Sequence, residues 1–384
     1  MVESTCYQGH IYPLTDIDRW ARKIRKNLTF ALLGIKFSAT FVQVSAIAPA
    51  ISVIGGKWIA SGAADFRLGI KQNIERIKSF SPYMAQRDRT YMLDISRISK
   101  QLSSPFASKK DRILLKALMP MMMMDLFVAG AVWKGAYNKA MSGQAEGYNA
   151  THKEATKFAD TMVRLTQGDG RISSISSLER QPGLAQMITV FYTFFNAQYN
   201  LYRLMFRTNI AQKRRLGKPV DYMTFMRHSF YMIMMVPMIE ALMLNRIDWD
   251  PEEDDLEGYT KHIASQMAMF TMLYAAGLVP LVRDVVRSIA TGYEASFSPA
   301  VDMMEALTKS FGGTYDYVFD DKEWTSGMTK GYFKGFGVFL GIPIAQPMIT
   351  FEAMWDKMQG EDISIVDFVL HRSRGGFFED GKKK

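Results

Sequence analysis

A chain of 384 residues, 48% hydrophobic and 22% charged, is not of disordered composition and is long enough to bury a sizeable core. Its single cysteine, Cys6, excludes an intramolecular disulfide and a thiolate metal cluster. Lys and Arg number 47 against 38 Asp and Glu, a net charge of +9 that suits contact with nucleic acid or an anionic membrane.

Methionine, at 28 residues, is the compositional outlier. Its unbranched thioether packs adaptably, so it fits a helical core in place of Leu, or a surface that repacks on protein or lipid. Strand-like alternation is scarce, and the pattern reads as helix almost throughout. The opening residues are polar, without the apolar core or cleavage site of a secretory signal.

Thr15 or Asp16 caps a first helix over 15–26, with Asp18 in its first turn. Leu28 to Gly56 is then apolar over nearly its whole length, broken by Lys36, Gln43 and Pro49. It exceeds the roughly 20 residues of a bilayer span, or it is a buried helix pair with a break near Pro49. Its small residues (Gly34, Ser38, Ala39, Ser45, Ala46) allow close helix approach. Asp65–Gln101 reads as a charged amphipathic helix, ended by a turn at Ser103–Pro105.

The next helix starts near Lys109, carries LMPMMMMDLF and runs to about Met141, with a kink expected at Pro120. Lys116, Asp125 and Lys134 interrupt its apolar run, and a charge near mid-span costs about 2.5–3.5 kcal/mol, which argues against a permanent transmembrane helix. Met121, Met122, Met123 and Met124 point to all sides of the helix, about 100° apart, and are expected at an all-round buried centre able to exchange partners.

Ala145–Gln167 reads as an amphipathic helix ended at Gly168–Gly170, and a loop follows over 171–183. Leu184–Asn209 carries the clearest stripe: Phe191, Phe194, Phe195, Tyr202, Met205 and Phe206 on one side, Asn196, Asn200 and Arg203 on the other. The basic connector QKRRLGKP leads to a Met-rich helix over 222–245, with a kink expected at Pro237. An acidic loop spans 249–259, and one or two helices cover 262–291, broken near Gly277 or Pro280. Ser298–Pro299 opens a helix closed by Gly312 and Gly313, and a glycine-rich apolar helix begins at Gly331 ahead of a flexible basic tail.

No phosphate-binding, nucleotide-binding, nucleophile-elbow or zinc-helix motif occurs, and the five histidines lack ligand-spaced partners. The acidic run from Asp248 to Glu257 lacks the glycine and terminal glutamate of a calcium loop and reads as solvated. A non-enzymatic protein with no catalytic, cofactor or metal residues is expected. The basic groups Arg22, Lys23, Arg25 and Lys26, with Arg19, and Lys213, Arg214 and Arg215, with Lys218, could contact phosphates of nucleic acid or lipid head groups, or be ordinary solvated helix ends. The first group precedes the apolar segment as a membrane-edge anchor does. Met121–Met124, Phe191, Phe194 and Phe195 are the expected repacking surface.

The stretches WKGAYNKAMSGQAEGYNATHKEATKFADTMVRLTQGDG, LERQPGLAQMITVFYTFFNAQYNLYRLMF, LVPLVRDVVRSIATGYEASFSPAVDMMEAL and GVFLGIPIAQP, in this order, resemble the helical C-terminal region of large polyvalent proteins of bacteriophages and prophages. The resemblance covers most of residues 20–350 and names no catalytic residue. It implies an internal virion (ejection) protein, made in the host cytoplasm, carried inside the capsid and passed to the host envelope. Implied partners are other ejection proteins or the portal, a second copy of the chain, the host membrane and, non-specifically, DNA. A docking module within the head or portal, with no membrane step, is the alternative.

The expected fold is all-α, an irregular multi-helix bundle with Pro-kinked apolar, Met-rich helices and no sheet beyond a small hairpin. Three regions are expected: 1–110 with its apolar segment 28–56, a central domain 111–310, and a Gly/Pro-interrupted helix with its tail over 311–384.

Overall fold

A computed structural model describes residues 4–7, 10–13, 15–33, 37–66, 69–87, 109–169, 179, 192–243, 256–278, 299–319 and 323–340. These are mostly helical, with short connecting turns and one antiparallel hairpin, β1 (Ser4–Tyr7) and β2 (His10–Pro13), with Ser4 opposite Pro13 and Tyr7 opposite His10. The fold is all-α, as the sequence implies.

Helix α1 (Asp16–Leu33) starts at a reciprocal cap: the Asp18 amide donates to Thr15 Oγ1 (3.2 Å), and the Thr15 amide donates to Asp18 Oδ2 (3.0 Å). The apolar run that follows is not one helix. It is divided into α2 (Phe37–Val42), a 3-10 turn (Gln43–Ala46) and α3 (Ile47–Ile54). Pro49 lies in the first turn of α3, where a missing N–H is tolerated, and the chain tightens just before it. Ala48, Ala50 and Ile54 are buried, as the helix-pair reading expects of this part of the segment, and residues 34–36 lie outside the described residues. Helices α4 (Gly56–Phe66), α5 (Ile70–Phe80) and α6 (Pro82–Ala85) replace the single helix expected from Asp65. The rest of that segment and its turn at Ser103–Pro105 lie outside the described residues.

Helix α7 (Lys109–Met141) is the spine of the bundle and runs through Pro120 without interruption. Ala, Leu, Met and Lys, all strong helix formers, dominate it, and Pro120 stands exposed. Lys116–Met141 is long and apolar enough to cross a membrane, yet 56% of its most apolar stretch is buried inside the protein. The expectation of an all-round buried methionine centre is corrected: Met121 is buried, Met122 and Met124 are half-buried, and Met119 and Met123 are exposed. The part enclosed on every side comes one turn later, Val128–Trp133, and is rich in small residues.

Small residues are needed there because α4 crosses α7 backbone to backbone. A Cβ on Gly62 would fall 2.2 Å from the Ala131 carbonyl oxygen, and one on Gly135 would fall 2.4 Å from that of Trp58. Around this crossing lies the main core, with Ile59, Phe66, Leu126, Val132, Trp133, Phe158 and Val163.

Helix α8 (His152–Thr166) packs on the other side of α7. It begins later than the expected Ala145, because Gly143 and Gly147 adopt positive φ (75° and 77°) and Thr151 supplies the cap. Asp160 ties three elements together. Its Oδ1 accepts from Trp133 Nε1 (2.7 Å) on α7 and from Ser81 Oγ (2.6 Å), the cap of α6. Between α6 and α7, Arg87 makes a buried two-pronged ion pair with Asp125, Nε to Oδ2 at 3.0 Å and Nη2 to Oδ1 at 2.9 Å, and donates to Tyr83 Oη at 3.3 Å. Burial works against the Arg87 charge, but Asp125 and Tyr83 outweigh it and hold the guanidinium above its ordinary value.

The remaining helices are α9 (Tyr192–Phe206), α10 (Gln212–Arg215), α11 (Tyr222–Ser229), α12 (Val236–Met243), α13 (Leu256–Gly277), α14 (Pro299–Phe319) and α15 (Ser326–Leu340). Residues 256–259, expected in the acidic loop, form the first turn of α13. Helix α14 starts at Pro299 as read, but Gly312 and Gly313 do not end it. A Cβ on Gly313 would meet Met328 Cγ of α15 at 2.8 Å, so this glycine serves helix contact rather than termination. Helix α15 begins at Ser326, ahead of the expected Gly331, and packs on α14 and α1.

Candidate interaction surface

Chain direction reverses between α9 and α12. Arg207–Ala211 forms a π-helical turn continuing into α10, residues 216–221 make the bend, and α11 leads back through a second π-helical turn, Phe230–Met235, into α12. Side chains account locally for the first widened turn: Thr208 Oγ1 donates to the Leu204 carbonyl (3.0 Å) and Asn209 Nδ2 to that of Met205 (2.9 Å), competing with backbone amides. The second lies just before Pro237, which has no amide to give to the carbonyl four residues back.

Phe225 holds the two arms together, 5.5 Å from the Tyr202 ring and 5.8 Å from that of Phe206. Asp221 closes the bend: its Oδ1 caps α11 through the Thr224 amide (3.0 Å), its own amide donates to the Asn209 carbonyl (3.3 Å), and Lys213 Nζ lies 3.5 Å from Oδ2. The Thr224 amide bond, with Lys213 adding less, holds the Asp221 carboxyl below the usual carboxylate range.

The inward face of α9 is not the aromatic stripe of the sequence reading. Asn196, Gln198 and Leu201 are buried, whereas Phe206 is exposed. Phe195 keeps its inward place against Tyr274 of α13, ring centroids 6.0 Å apart. Phe194 falls within α9, and Phe191 lies outside the described residues. Gln198 is what the sequence reading missed. Its Nε2 donates to the Thr166 carbonyl (3.2 Å) at the end of α8, beside Gln167, whose Nε2 donates to the Ala46 carbonyl (2.8 Å). Two buried amides thus satisfy carbonyls at helix ends. The three-residue spacing Phe195–Gln198–Leu201 was the available signal.

Outward, the hairpin is apolar and cationic at once. Met223 is 77% exposed, Met226 64%, Tyr222 62% and Leu216 58%. Met223, Met226, Phe230 and Met234 continue an exposed stripe at helical spacing, while His228, Met232 and Val236 turn inward. From Arg203 through Arg227 stand seven Arg and Lys residues and one carboxylate, Asp221. Arg207, Arg214, Arg215, Lys218 and Arg227 are exposed and make no ion pair among the described residues.

The N-terminal basic group behaves differently. Arg25 is buried and engaged, Lys26 is half-buried and engaged, Lys23 is exposed, and Arg19 pairs with Asp16 at 2.6 Å. Arg22 lies in α1. The anchor expected there loses Arg25 to the protein interior. Lys382–Lys384 lie outside the described residues. Among the described residues, no three His, Cys, Asp or Glu side chains come together as a metal site.

His228, on the inner side of α11, has no hydrogen-bond partner for Nδ1 among the described residues. Burial, and then Arg227, push its imidazole below its ordinary value, against a weaker pull from Asp221. The unfolded chain therefore takes up this proton more readily than the folded one. The corresponding stability is full above the ordinary histidine value and is lost as pH falls through it toward the lower folded value. The melting temperature should drop between about pH 7.5 and about pH 5, and His228→Gln should flatten that part of the profile.

No protein-family model matches the chain, and comparison with curated proteins and with solved structures finds no match.

Proposed function

We propose that this chain is a non-enzymatic helical assembly protein of the bacteriophage internal virion (ejection) kind. It assembles with itself or with other ejection proteins, and assists genome delivery across the host envelope. The observation that carries this reading is the large apolar surface left uncovered on regular helices. Met223, Met226, Phe230 and Met234 line one hairpin, and Phe311, Tyr315, Phe319, Phe333 and Phe336 stand exposed on α14 and α15. Contiguous patches of this kind on ordered elements call for a partner. The resemblance of the four quoted stretches to phage polyvalent proteins supplies the biological setting.

The test is twofold. Sedimentation of the purified chain should show concentration-dependent self-association, and mass spectrometry of purified virions should detect the chain. A monomer at all concentrations that is also absent from particles would remove the reading. Docking within the head or portal, without a membrane step, is the second reading, and it is favoured by the burial of α7, the helix best suited to spanning. A chain that self-associates without detergent and never binds vesicles decides for it.

A further inference from the structure

We propose that the bend of the α9–α12 hairpin is a docking surface for an anionic lipid bilayer. Tyr222, Met223, Met226 and Leu216 enter the boundary between head groups and acyl chains, and the surrounding Arg and Lys side chains bind lipid phosphates. This rests on the membrane step of the proposed function and gives that step a location.

Three observations converge on the bend. The four apolar side chains are the most uncovered of the hairpin, and they lie at its closed end, Leu216 in the bend and Tyr222, Met223 and Met226 on α11. The cations Arg207, Arg214, Arg215, Lys218 and Arg227 come from both arms and the bend, and none is neutralised among the described residues. Asp221, the one carboxylate of the stretch, is turned to internal duty, capping α11 and meeting Lys213, so it does not oppose an anionic surface. A cationic ring around an apolar tip is complementary to a surface that offers phosphates at one depth and hydrocarbon just beneath. Duplex DNA presents its phosphates outermost and its apolar base surface only within the grooves, a poorer match to thioethers and a leucine standing exposed among the cations. Beyond the bend the π-helical turns add one cation, Arg207, and the less exposed Phe230 and Met234.

The experiment uses the full chain and vesicles of phosphatidylcholine with or without roughly 30% phosphatidylglycerol. Co-sedimentation should show binding to the anionic vesicles that weakens steeply with salt. R214E/R215E/K218E and, separately, M223S/M226S should each reduce partitioning about tenfold, with circular dichroism and melting unchanged. The emission that a Tyr222→Trp variant adds to that of the six native tryptophans, read as the difference from the parent chain, should shift to shorter wavelength on binding and be quenched by brominated lipid. Unaltered vesicle binding by M223S/M226S, or an indole at this position that brominated lipid leaves unquenched, would overturn the proposal. So would duplex DNA binding that R214E/R215E/K218E abolishes and M223S/M226S leaves intact, since that assigns the cations to nucleic acid. The two levels fail separately: a chain absent from virions that still binds through the bend loses the phage role alone. A chain present in virions whose bend variants bind vesicles normally loses this surface alone.

Discussion

Replacing Asp125 by alanine is expected to lower the unfolding free energy by about 3–5 kcal/mol, because it leaves the Arg87 guanidinium buried without its counter-charge. Arg87→Ala should cost a similar amount by stranding Asp125. The paired variant Arg87→Met/Asp125→Leu should recover most of the loss, since two apolar side chains of like size need no compensation at this site. Urea denaturation followed by circular dichroism reads all three. Equal losses in the single and paired variants would mean that packing volume, not charge, matters here. The pair joins α7 to Arg87, two residues past the end of α6, and includes no residue of the α9–α12 bend, so vesicle binding by the folded fraction should be unchanged.

The second large effect is steric. A Val at position 135 places its Cβ 2.4 Å from the Trp58 carbonyl oxygen, a backbone atom that cannot turn aside. Either α4 moves off α7 or α7 bends, and both disturb the core around Ile59, Trp133 and Phe66. Gly135→Val should destabilise by about 3 kcal/mol. Gly312→Ala, a helical glycine with nothing within 4 Å of the added methyl, should instead stabilise by about 0.5–1 kcal/mol. Midpoint shifts of opposite sign in the same urea series check the contrast.

Helix identity was legible wherever one local rule decided it. Thr15 and Asp18 announced the start of α1 and Pro299 that of α14, and the break read near Gly277 or Pro280 falls at Gly277. What depended on partners distant in the chain was not legible. Gly312 and Gly313 look like a terminator, and only the approach of Met328 reveals a contact position. Asp125 reads as an obstacle to membrane insertion, and nothing near it announces Arg87, 38 residues earlier. The candidate surface was half legible: Lys213, Arg214 and Arg215 were visible as a run. Their meeting with Met223 and Met226 needed the chain reversal at the bend, and the N-terminal basic run offered an equally good pattern whose Arg25 proved buried.

Each of the two irregular turns near a proline packs against the helix that follows the other. The 3-10 turn before Pro49 packs against α12, the π-helical turn before Pro237 packs against α3, and Ser45 Oγ donates across the contact to Glu240 Oε1 at 3.1 Å. One turn is wound too tightly and the other too loosely, and each lies two or three residues before a proline, which has no amide to bond. A helix that slips by one residue here gives up less backbone bonding than it would at any regular turn. The contact therefore joins two weakly bonded stretches of backbone, and the Ser45–Glu240 hydrogen bond ties them together.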